Sequence, residues 1–140
     1  MADDMDALGI TGIYRYAEIY LKRDVPLKDL GRNILRNSFN RYRNMLPLLS
    51  FLPELKKKTE KEFRILTTFY SLYNQQLVSV EEPSGISWGH LGIINQIGHL
   101  GLGRGISPEI FYRETSCAAG SLCRNFFLEL KERLTDESNS

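Results

Sequence analysis

Few side chains in this chain carry reactive or ligating chemistry. His90, His99, Cys117 and Cys123 form the one set that could hold a soft divalent metal. Zinc sites bring cysteines in pairs two to four residues apart, so that a single turn presents both. Here the cysteines are six positions apart and the histidines nine, and the set reads as structural. No local motif surrounds either cysteine, so a cysteine–histidine nucleophile is not expected. The run Gly101-Leu102-Gly103-Arg104-Gly105 has the composition of a phosphate loop. Such a loop needs a preceding strand and fixed glycine spacing, and neither is present. The run reads instead as close helix packing followed by a helix end at Gly103 or Gly105. Lys56-Lys57-Lys58 reads as a solvated loop, too short by itself to argue for membrane or nucleic acid.

The elements that would position these residues follow from composition and periodicity. The chain has 140 residues, 42% hydrophobic and 25% charged, which fits one globular domain over 1–140 able to fold without metal or disulfide. Residues 135–140 read as a polar, disordered tail. Eighteen basic residues stand against seventeen acidic ones, a net charge of +1, which gives no footprint for nucleic acid. The longest apolar stretch, Leu91 to Gly103, carries Asn95, Gln96 and His99 and is too short and polar to span a bilayer. The acidic start Met-Ala-Asp-Asp-Met-Asp is no secretory signal, and the two cysteines fit a reduced intracellular protein.

Periodicity predicts helices throughout. Ile10, Ile13, Tyr14, Ala17, Tyr20 and Leu21 make one apolar stripe, a helix over about 11–22. Pro26 suits the first turn of a second helix carrying Leu27, Leu30, Ile34, Tyr42, Met45 and Leu49, which Pro47 ends or kinks. Residues 50–58 are ambiguous. Thr59-Glu60-Lys61-Glu62 has the form of a capping box, so a third helix is expected from Thr59, with Phe63, Leu66, Phe69, Tyr70 and Tyr73 buried. A loop is expected over 74–86. Ser87 would then cap a helix that is apolar almost all round, the mark of an element with neighbours on every side. Ser107-Pro108 restarts helix, with a break near Gly120, to about Leu134. The fold class is therefore all-α: a bundle of about six to eight helices, amphipathic ones wrapped around one apolar central helix.

The segment Ser87-Trp88-Gly89-His90, opening that central helix, resembles the first homology motif of the Bcl-2 family, whose core reads Asn-Trp-Gly-Arg. Leu27-Lys28-Asp29-Leu30-Gly31-Arg32-Asn33-Ile34 resembles the BH3 motif, with apolar residues at i, i+3 and i+7 and a glycine after the second. Ile13 to Leu21 resembles the family's N-terminal BH4 helix. The three stand in the family's order, and the resemblance covers about Ile10 to Gly103. It departs from the family at Arg32, where the BH3 motif has Asp, and at His90, where the central helix carries Arg. A second homology motif is not recognisable, and no hydrophobic tail anchor follows.

What the resemblance implies is a compact viral pro-survival homologue without enzymatic activity, cofactor or metal. It would sequester pro-apoptotic BH3-containing proteins, whose amphipathic helix lies in an apolar groove, and so inhibit host-cell apoptosis. Carried over by position, that groove would be lined by Leu30, Ile34, Tyr42, Met45, Leu49, Phe69, Tyr70, Tyr73, Ile93 and Ile97. Ser87, Gly89 and His90 would stand at its head, with Gly89 letting the ligand backbone approach and His90 facing the ligand Asp. Trp88 would pack under the central helix. The implied location is the host cytoplasm, with mitochondria reached through partners and no tail-anchored insertion. A homodimer would cover the empty groove. Two other classes stand beside this reading: a Bcl-2-fold module that blocks innate signalling through another surface, and a pore-forming pro-apoptotic member.

Overall fold

The computed structural model describes residues 8–101, 122, 125–130, 132 and 133. These residues are helical or in connections, with no strand among them. Four helices are fully bounded: α1 Gly9–Lys22, α2 Leu27–Leu49, α3 Pro53–Val78 and α4 Gly89–Gln96, the last running on as a π-turn over Ile97–Gly101. Residues 125–130 are also helical. The all-α class holds. Cys117, Cys123, the glycine run beyond Gly101, the helix start at Ser107-Pro108, the break near Gly120 and the tail 135–140 lie outside the described residues.

α2 and α3 form a long antiparallel hairpin closed by the turn at 50–52. Near its open end the Tyr73 hydroxyl donates to the Leu27 carbonyl at 2.7 Å. Toward the turn, Tyr42 stacks on Phe63 with ring centroids 4.3 Å apart. Pro47 sits in the last turn of α2, and the helix ends two residues later at Leu49, because proline removes a donor and crowds the preceding carbonyl. α1 lies across the pair. Tyr70 donates its hydroxyl to the Ile13 carbonyl at 2.7 Å, and Asn37 donates to the Tyr20 hydroxyl at 2.7 Å.

The expected stripe of α1 is the one buried: Ile10, Ile13 and Ala17 are in the core, with Tyr14, Tyr20 and Leu21 packed against it. The expected face of α3 is buried through Leu66, Phe69, Tyr70 and Tyr73, while Phe63 is only half-buried. α4 is central as its composition requires. Leu91, Ile93, Ile94 and Ile97 have no solvent exposure, and Phe126, Phe127 and Leu130 join the same core. An Arg133–Glu62 ion pair at 3.0 Å ties the C-terminal helical residues to α3.

Three local expectations are corrected. α3 begins at Pro53, so Thr59 lies inside the helix. Its hydroxyl donates to the Leu55 carbonyl at 2.8 Å rather than capping an N-terminus. Proline at the first turn, with its fixed φ, starts the helix six residues earlier than the capping box suggested. α3 also runs to Val78, shortening the expected loop over 74–86. Finally, Ser87 does not cap α4. The residue at that position is Trp88, in extended conformation and with no side-chain cap of its own. No helix among the described residues is long and apolar enough to cross a membrane.

Candidate binding site at the head of the central helix

α4 begins at a half-buried place with no capping side chain from its own residues. Gln76, in the last turns of α3, supplies one. Its Oε1 accepts from the Leu91 N–H at 2.9 Å, and its Nε2 donates to the Trp88 carbonyl at 2.9 Å. One amide thus meets both the orphan donor and the preceding acceptor of the helix start. Gly89 makes room for it. Gly89 has φ +70°, and a Cβ there would lie 2.6 Å from Gln76 Oε1. The space expected to admit a ligand backbone is occupied by Gln76. Asn95, buried one and a half turns on, donates to the Pro83 and Ile86 carbonyls at 2.7 and 2.8 Å and pins the connection against α4.

His90 emerges from this start onto Phe69, edge to face with centroids 4.9 Å apart. Phe126 also packs on Phe69, with ring centroids 5.6 Å apart. These rings border a recess of about 230 Å³, completed by Ile10 and Ile13 of α1, Ile65 and Thr68 of α3, Ile93 of α4, and Leu122, Asn125 and Glu129. Burial lowers the His90 pKa from its ordinary value near 6.5, because a charged imidazolium is poorly solvated there. The ring is therefore neutral at pH 7. The recess is a mainly apolar basin whose lining includes one imidazole, one hydroxyl, one amide and one carboxylate.

The thirteen residues expected at a groove fall into separate groups. Phe69, His90 and Ile93 line this recess, with Phe69 and Ile93 also part of the core and Ile93 without exposed surface. Leu30, Ile34, Tyr70, Tyr73 and Ile97 lie in the central core with no exposed surface. Tyr42, Met45 and Leu49 lie along the α2–α3 seam nearer the turn, with Met45 and Leu49 buried. Ser87 is exposed and Gly89 partly buried beneath Gln76. The expected position of Trp88 is also corrected: the indole is 55% exposed, and it is the backbone of Trp88 that serves α4.

Gly31, read as a BH3-motif glycine, has a packing reason. A Cβ there would lie 2.9 Å from the Tyr73 ring and overlap the Asn74 amide, so its absence lets α2 and α3 close. Arg32 borders a different hollow of about 360 Å³, with Lys28, Leu35, Asn74, Leu77 and Val78. Arg36 borders a third with Tyr20, Asn33, Asn37 and Asn40. Neither arginine belongs to the lining of the His90 recess. Among the described residues no group of three His, Cys, Asp or Glu side chains could hold a metal ion.

Sequence reasoning missed Gln76, Leu122 and Asn125 altogether. Gln76 carried no signal, since it lies fifteen positions from the amide it caps. Comparison with protein-family models, with curated proteins and with solved structures finds no match for this chain.

Proposed function

We propose that this chain is a Bcl-2-like binding module, not an enzyme, that sequesters a pro-apoptotic BH3-type amphipathic helix at the His90 recess and thereby inhibits host-cell apoptosis. The observation that carries the reading is the convergence of Phe69, His90 and Ile93 at one open apolar basin. The position where the resemblance places an arginine is thus a half-buried histidine at the recess, beside two apolar side chains that are themselves buried. Such a basin suits the apolar anchors of an amphipathic helix. Because His90 is neutral, binding here rests on those anchors more than on a permanent ion pair. An approaching carboxylate would raise the histidine pKa, so binding would take up a proton and tighten at lower pH.

A second reading is favoured by the burial of Leu30, Ile34, Tyr70, Tyr73 and Ile97. A module whose groove is filled by its own side chains acts through an outer face, as the innate-signalling alternative supposes.

The test is calorimetric titration of the full chain with BH3 peptides, on wild type and on Leu122→Glu. Leu122 lines the recess and is exposed, so its substitution tests binding without emptying the core. Met45 and Ile93 are buried and unsuitable for that purpose. Replacing the apolar Leu122 side chain with a carboxylate should cost about 2 kcal/mol, roughly thirtyfold in affinity. Absence of binding by every peptide would overturn helix capture and leave the outer-face reading standing.

A further inference from the structure

The turn between α2 and α3 presents apolar surface that the fold does not use. Phe51 is 81% exposed, Leu48 51% and Leu52 44%, with Pro47 and Pro53, both exposed, on either side. Leu49 alone turns inward. Three large apolar side chains therefore stand exposed at one turn.

Basic residues stand directly behind them. Between residues 41 and 61 there are six basic side chains (Arg41, Arg43, Lys56, Lys57, Lys58 and Lys61) against two acidic ones (Glu54 and Glu60), a net +4 in a chain whose total is +1. Lys56, Lys57 and Lys58 occupy the first two turns of α3. Cations are disfavoured there by the positive end of the helix dipole, so these lysines do not serve the helix. None of the four lysines forms an ion pair among the described residues.

We infer that the α2–α3 tip docks on an anionic phospholipid surface. Phe51, Leu48 and Leu52 enter the interface while the lysine collar meets lipid phosphates. The dimensions agree. With the hairpin along the membrane normal, a rise of about 1.5 Å per residue sets Lys56–Lys58 roughly 5–8 Å behind the start of α3. Apolar groups at a membrane interface sink by about 5–10 Å. The apolar tip would reach the acyl boundary as the ammonium groups reach the headgroups, their aliphatic stems lying along the apolar layer. An anionic bilayer fits this tip because exposed apolar side chains and net positive charge lie together there, matching an apolar interior beneath a negatively charged surface. The inference does not depend on what the His90 recess binds.

The experiment is co-sedimentation of the full chain with vesicles of phosphatidylcholine alone, and of equal parts phosphatidylcholine and phosphatidylserine, in dilute and in concentrated salt. Wild type should bind the mixed vesicles, weakly or not at all the neutral ones, and release in concentrated salt. The double variant Lys57→Glu/Lys58→Glu should lose at least about twentyfold in partition, at roughly fivefold per lysine. Phe51→Ser/Leu52→Ser should lose more than about tenfold, while Lys22→Glu, at the end of α1, should bind as wild type does. Circular dichroism checks that each variant stays helical, as substitutions of exposed residues allow. No binding to mixed vesicles, equal binding to neutral ones, or tip variants that bind like wild type would overturn the inference. So would a tip that instead joins two copies, seen as a dimer in sedimentation that Phe51→Ser/Leu52→Ser abolishes without any vesicle binding.

Discussion

The two ends of the α2–α3 hairpin are built from the same pair of amphipathic helices and end in opposite states. At the open end Leu30, Ile34, Tyr70 and Tyr73 have no exposed surface, and Tyr73 bonds the Leu27 carbonyl. At the turn, Leu48, Phe51 and Leu52 face solvent. The difference is the third layer. α1 and α4 cover the open end through Ile13, Ala17, Leu91, Ile93 and Ile94. The turn lies beyond their reach, and among the described residues the hairpin has only itself there. Two helices can close a seam, as Met45 and Leu49 do, but the outer faces of both need something else to cover them.

That contrast can be broken in a graded way. The largest effect is expected at Tyr70, which is fully buried and holds the α1 backbone. Tyr70→Ala should cost about 3–5 kcal/mol of stability through the cavity and the lost hydrogen bond to the Ile13 carbonyl. Phe51→Ser should stay within about 0.5 kcal/mol of wild type. Urea unfolding of both variants measures the contrast directly. A large loss at Phe51 would mean that the turn, too, has a covering layer.

Gly31→Val comes next. The added methyl groups meet the Tyr73 ring and the Asn74 amide and should cost about 1–3 kcal/mol, as overpacking does. The same measurement applies, with a fall in midpoint at unchanged slope expected. Gln76→Ala follows, at about 0.5–2 kcal/mol, the usual worth of a helix cap. Its amide exchange should quicken at Leu91 while Tyr73 and its neighbours stay protected.

The smallest effect belongs to His90. Burial lowers its folded pKa below the ordinary value near 6.5, so the folded state binds its proton less readily than the unfolded one. Its stabilising contribution is complete above that ordinary value. It declines as pH falls through it and levels off below the lowered folded value. Unfolding midpoints at about pH 8 and pH 5 should differ less in His90→Gln than in wild type; identical differences would mean that other groups set the dependence.

How far the sequence reached depended on the range of the interaction. The α1 stripe, the α3 face and the apolar α4 were legible because helical spacing and burial are read within one segment. The end of α2 was legible because Pro47 acts on its own turn. The start of α3 was misplaced because Thr59 and Glu62 have the right letters for a capping box while Pro53 already begins the helix. At the candidate site, His90, Phe69 and Ile93 were legible from position. The core places of Leu30, Ile34, Tyr70, Tyr73 and Ile97 were not separable from groove lining, since both demand an apolar side chain at the same register. Gln76 reaches across two elements, and no local pattern announces it.

The cap that Gln76 provides also orders events in time. α4 is short and apolar and has no N-cap side chain of its own, and helix nucleation is the costly step in forming such a segment. The group that lowers that cost sits on α3, which leaves the ribosome first. The cap is thus in place before the helix it starts, so the chain's most water-averse segment need not search for its first turn alone. Gln76→Ala should slow folding as well as weaken the folded state, with the change falling mainly on the folding arm of the chevron.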